Sequence, residues 1–126
     1  MLEFSRENGL LGEHDIANGK DSSEKVNKVV TFTGQSLRGD KKSISLLSFG
    51  KNMAEVKPDS IWTIEGKNFI AFSKPTLVEN LSQAIAVKYG KGRVVILGEA
   101  AMISAQKLFG RTFGMNYPIN DNKKFT

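Results

Sequence analysis

The sequence has 126 residues, enough to bury one real core but not two independent ones. Eighteen Lys and Arg against thirteen Asp and Glu leave a net charge of +5. The bases run from Arg6 to Lys124 interleaved with acids, which describes a solvated surface rather than a concentrated polyanion-binding face. The absence of cysteine excludes disulfides, thiolate metal sites and a cysteine nucleophile, and is compatible with a reducing compartment.

One domain over 1–126 is the expectation. The opening MLEFSRENGLLGEH shows no basic segment followed by the apolar run of a secretion signal, and no stretch approaches the ~18 apolar residues that span a bilayer. A cytoplasmic protein without membrane association follows as the reading.

Taken in order, Glu3 to Asn8 predicts a short helix flanked by Leu2, Phe4 and Leu10-Leu11 and stopped by Gly9. Gly12 to Glu24 is polar and reads as a loop. Lys25 to Thr33, with Val26, Val29-Val30 and Phe32, predicts a strand ended by Gly34-Gln35-Ser36. Arg38 to Lys42 is a turn, and its Arg-Gly-Asp is a chance match in a chain without an export signal. Ile44 to Phe49 is an apolar run whose length leaves strand and helix both open.

Ile61–Glu65 and Phe69–Ser73, separated by Gly66-Lys67-Asn68, predict a hairpin whose aromatic residues cover the core. Ala84–Tyr89 and Arg93–Leu97, joined by Gly90-Lys91-Gly92, predict a second hairpin, antiparallel and tight. Ala100 to Phe109 then predicts a helix with an apolar stripe of Met102, Ile103, Ala105 and Leu108, stopped by Gly110. Asn120 and Asp121 near the end offer N-caps for a final helix.

Chemistry-bearing residues are few. Gly90-Lys91-Gly92-Arg93 has the composition of a phosphate loop, but it precedes a strand, whereas the Walker pattern follows a strand and opens a helix; a hairpin turn accounts for it better. Gly98-Glu99 stands at the carboxyl end of a strand, where open α/β sheets bind ligands, although a carboxylate there also stabilises the start of a helix. His14, the single histidine, lies in a polar loop between Glu13 and Asp15, and Ser36 follows Gln35 with no histidine at a recognisable spacing. Asn120-Asp121-Asn122 lacks the glycine and terminal glutamate of a calcium loop, and no metal or cofactor motif is present.

Three segments together carry a resemblance: His14 to Gly19 followed by Val29 to Leu37, Gln83 through Gln106 with YGKGRVVILGEAAMISAQ, and Gly114 to Pro118 with Asn120-Asp121-Asn122. They resemble a family of bacterial proteins of unknown function with a class I glutamine-amidotransferase-like domain. The resemblance implies a fold of α/β class, or α+β by count: part of a three-layer, flavodoxin-like domain with a mixed sheet and a strand-Gly-Glu-helix unit at 93–109. It implies that the chain corresponds to the carboxyl-terminal portion, cut at both ends.

True amidotransferases use a Cys and a His, and Gly98-Glu99 stands where that His is expected, so glutamine hydrolysis has no support in these residues. The expectation is therefore a non-enzymatic protein that self-associates, a dimer foremost, to replace the missing half, and that binds a partner or small ligand through Gln35, Ser36 and Glu99. The competing expectation is a hydrolase whose site is assembled at a subunit interface from Glu99, His14 and the Gln35-Ser36 loop. A nucleic-acid-binding module ranks below both, because basic and aromatic residues are not interleaved in a stacking pattern.

Overall fold

In the computed structural model, which describes residues 1–125, the chain opens as a strand where a helix is expected. The Asn8 carboxamide oxygen accepts from the N–H groups of Ser5 and Leu10, turning the chain where a helix would have to propagate. Strand β1 (Leu2–Ser5) therefore precedes the turn and buries Phe4 completely. Within the expected loop lies a single helical turn, α1 (Asp15–Asn18). It is tied down by Arg6, which donates to the carbonyls of Val26 and Ala17, to Asn18 and to Glu13. Strand β2 (Lys28–Thr31) then pairs antiparallel with β1, Phe4 opposite Val29.

The ambiguous run at 44–49 is strand β3 (Ile44–Ser48), with Leu46 and Leu47 fully buried. After it the chain makes a long two-stranded ribbon: β4 (Ala54–Glu55) and β5 (Pro58–Ile64) run out, β6 (Lys67–Phe72) and β7 (Thr76–Leu77) return. β5 pairs with β6 and β4 with β7, both antiparallel. Glu65 and Gly66 at the tip both have positive φ, as a two-residue primed turn requires.

Strands β8 (Ser82–Tyr89) and β9 (Gly92–Leu97) form the second expected hairpin. β8 lies between β3 and β9 in a three-stranded antiparallel sheet.

The strand-Gly-Glu-helix unit at 93–109 is not formed. After Glu99 only a 3₁₀ turn, Ala101–Ile103, follows, and the chain then folds back through β10 (Lys107–Leu108) and β11 (Arg111–Thr112). The Ser104 hydroxyl donates to the Ala101 carbonyl, and the Ser104 carbonyl accepts from Met115 N–H, so the backbone groups a helix would use are spent elsewhere. A second 3₁₀ turn, Gly114–Asn116, leads to α2 (Asn122–Phe125), four residues long like α1.

These findings correct the expected fold class. Every strand pairing is antiparallel and both α-helices are single turns, so neither the mixed sheet nor the helical layers of a three-layer α/β domain are present among the described residues. The chain is mainly β. Its hydrophobic cluster joins Phe4 and Val29 of the β1–β2 pair, Leu46 and Leu47 of β3, Ala84 and Ala86 of β8, and Met102 and Phe125 from the carboxyl-terminal segment.

Candidate functional site

The loop after β2 and the turn after β9 meet above the end of the three-stranded sheet. Gln35 N–H donates to the Gly98 carbonyl at 3.0 Å, while Gly98 N–H donates to the Gln83 carbonyl at 2.7 Å. The Gln83 side chain completes the junction: its Oε1 accepts from the Thr31 hydroxyl at 2.7 Å and its Nε2 donates to the Thr33 carbonyl at 2.8 Å.

Two glycines make this approach practicable. A Cβ on Gly98 would lie 2.2 Å from the Gln35 carbonyl oxygen, and one on Gly34, whose φ is +107°, would lie 2.6 Å from Glu99 Cβ. Gly98 is therefore required by the loop that crosses it.

Glu99 is buried to 4% exposure. One carboxylate oxygen accepts from Met102 N–H at 2.8 Å, which caps the 3₁₀ turn. The other, Oε1, is buried and has no hydrogen-bond partner among the described residues. A buried polar oxygen without a partner opposes folding by about 1–3 kcal/mol. The Gln35-Ser36 loop and Glu99 are thus brought together, by backbone contacts rather than by side-chain chemistry.

Ser36 points its bonds the other way. Its N–H donates to Glu55 Oε2 at 3.0 Å. That N–H foremost, with the Lys57 ammonium beside it at 3.0 Å, holds the Glu55 carboxyl below the usual glutamate range. Glu55 is a partner that the sequence did not flag, because nothing in Glu55-Val56-Lys57 distinguishes it from other surface charges.

His14 belongs to neither group. Its Nδ1 accepts from Ile16 N–H at 3.2 Å as the cap of α1, and its cleft is formed with Lys42, Lys88 and Arg93 rather than with Glu99 or Ser36. No hydrogen bond joins His14, Glu99 and Ser36 to one another among the described residues. A serine hydroxyl activated by histidine, the minimum for nucleophilic hydrolysis by that route, is not assembled among the described residues.

Asn120-Asp121-Asn122 also has a role the sequence did not reveal. Asn122 is fully buried, exchanging hydrogen bonds with the N–H and carbonyl of Val30 at 2.8 and 2.7 Å and donating to the Met102 carbonyl at 3.1 Å. Asp121 accepts from the N–H groups of Asn27 and Lys28. Burial pushes the Asp121 carboxyl up, but the Asn27 N–H, the Lys124 ammonium and the Lys28 N–H outweigh it and leave it below its ordinary value. These side chains act as a substitute strand along the free edge of β2, and no group of three or more His, Cys, Asp and Glu able to hold a metal occurs among the described residues.

Compared with known proteins, the chain matches no family model, no curated protein and no solved structure. No helix among the described residues is long and apolar enough to cross a membrane.

Proposed function

We propose that this chain is a non-catalytic binding domain that self-associates through its ribbon. The observation that carries the reading is the exposure of β5 and β6. Ile61, Trp62, Ile64, Phe69, Ile70 and Phe72 are 42 to 67% exposed.

In this ribbon Trp62 faces Phe69, and Ile61 faces Ile70 on the opposite side. Both faces are therefore apolar, and a lone two-stranded ribbon in water is marginal without a covering layer. For side chains of ~200 Å² these exposures leave about 300 Å² of apolar surface on each face, the scale of the largest exposed patches that mark interaction sites.

A second copy of the chain fits this surface by charge. Residues 58–72 carry Asp59 and Glu65 against Lys67, a local charge of −1 within a chain of +5. The ribbon is thus attracted to the body of another copy rather than repelled. β9 supplies an acceptor: among the described residues it pairs with β8 alone, and its Val94, Val95 and Ile96 are 44, 42 and 43% exposed. A ribbon strand laid along that edge satisfies unpaired backbone groups on both sides.

Sedimentation analysis over the micromolar range tests the reading, with a dimer mass expected. The double substitution Trp62→Ser, Phe69→Ser is expected to give a folded monomer. A wild-type chain that stays monomeric throughout contradicts the proposal.

A further inference from the structure

The cleft beside His14 combines features that the ribbon does not use. It has a volume of about 550 Å³ and lies between the α1 segment and one face of the three-stranded sheet. Its floor is apolar: Ile44 of β3 opposes Ala86 of β8, which opposes Val95 of β9.

Two register steps further along the sheet, and so on the same face as Ala86 and Val95, Lys88 stands directly opposite Arg93, and both line the cleft. Cross-strand partners share a face, and like charges so placed destabilise the pair. Lys42 brings a third cation from the turn before β3. Among the described residues none of these three cationic side chains has an ion pair, since the salt bridges use Arg6, Lys28, Lys57 and Lys124.

The acids at the rim do not neutralise them. Glu13 is committed to Arg6 at 2.6 Å, leaving Asp15 as the remaining carboxylate. His14 adds a donor rather than an acceptor. Its Nδ1 is occupied by Ile16 N–H, so the neutral ring carries its proton on Nε2.

We propose that this cleft binds an organic monoanion, a carboxylate carried on a short acyl chain. The carboxylate offsets the opposed Lys88–Arg93 charges with help from Lys42, and the chain lies on Ile44, Ala86 and Val95. The volume falls within the ~300–1,000 Å³ of small-molecule sites, which join an apolar lining to a few placed polar groups. The proposal goes beyond self-association and involves no ribbon residue, while the cleft floor shares Val95 with the β9 strand assigned as the ribbon's acceptor.

Titration of the full chain with octanoate, followed by amide NMR, tests it. Octanoate is expected to shift the amides of Ile44, Ala86 and Val95, and octanol and octylammonium to bind about tenfold more weakly or worse. Inorganic phosphate, which lacks the apolar body, is likewise expected to bind more weakly.

In Lys88→Gln, Arg93→Gln octanoate affinity is expected to fall about tenfold or more. Its melting temperature is expected to be unchanged or raised, which separates loss of this site from loss of fold. Arg93 lies on β9, so the titration is read at a concentration where wild type and variant have the same measured mass. Octanol, octylammonium or phosphate binding as tightly as octanoate overturns the proposal. So do octanoate shifts confined to residues 58–72, or undiminished affinity in the double variant.

Discussion

Among the described residues strand β2 and strand β9 each have one neighbouring strand, yet their outer edges are treated in opposite ways. Along β2, Asn122 and Asp121 come from the other end of the chain and bond Asn27, Lys28 and Val30. Along β9 no strand or substitute pairs among the described residues, and the ribbon likewise presents apolar side chains on both faces. The chain therefore closes one edge internally and leaves the other unpaired among the described residues, which is the physical basis for the proposal of self-association through the ribbon and β9.

The closed edge of β2 depends most on Asn122. Asn122→Leu removes three buried hydrogen bonds and strands the N–H and carbonyl of Val30, so a loss of about 3–5 kcal/mol is expected in urea unfolding. A loss below about 1 kcal/mol shows that the β2 edge is not held as described.

Asp121→Ala is the next largest, about 1–3 kcal/mol at neutral pH, because two backbone donors and Lys124 lose their acceptor. Its pH dependence has a fixed sign. The folded carboxyl lies below the unfolded value of 3.8, so its contribution is complete above that value and is lost as pH falls through the folded one. The gap between wild type and variant is expected to be full at neutral pH and to close under acid below 3.8. A gap that stays constant into acid contradicts the assignment.

Glu99→Gln is expected to change stability by less than about 1 kcal/mol or to raise it, since it keeps an oxygen for Met102 N–H and replaces a buried carboxyl oxygen that has no partner among the described residues. A loss above about 2 kcal/mol indicates that Oε1 has a stabilising partner. The smallest effect on the isolated fold belongs to Trp62→Ser with Phe69→Ser. Both positions are exposed, so the monomer's melting is expected to shift little while assembly is lost.

Both major hairpins were legible because turn chemistry and alternation are local: Gly66-Lys67-Asn68 and Gly90-Lys91-Gly92 follow runs rich in β-branched and aromatic residues, although the first turn falls one residue earlier than expected, at Glu65-Gly66. What alternation could not supply was the neighbour. β5 and β8 are similar as strands, but β8 is buried between two others and β5 is exposed along its whole length, so the expected aromatic cover of the core is not formed. The expected helix at 100–109 failed for a related reason, since its apolar spacing is real but Ser104 and Gln106 bond to Met115 and Phe113 instead.

At the site, the sequence marked Gln35, Ser36 and Glu99, and the chain does bring that loop and that turn together. It could not show Gln83 bridging them from Thr31, or Asn122 reaching Val30, because those partners are 52 and 92 positions apart.

The fluorescence of Trp62 reports on self-association through the ribbon, because the single tryptophan of the chain lies there and is 44% exposed. If a second copy covers the ribbon, its emission shifts to shorter wavelength as protein concentration rises, in step with the increase in mass. Emission that stays unchanged while the mass doubles places the interface elsewhere and contradicts the account.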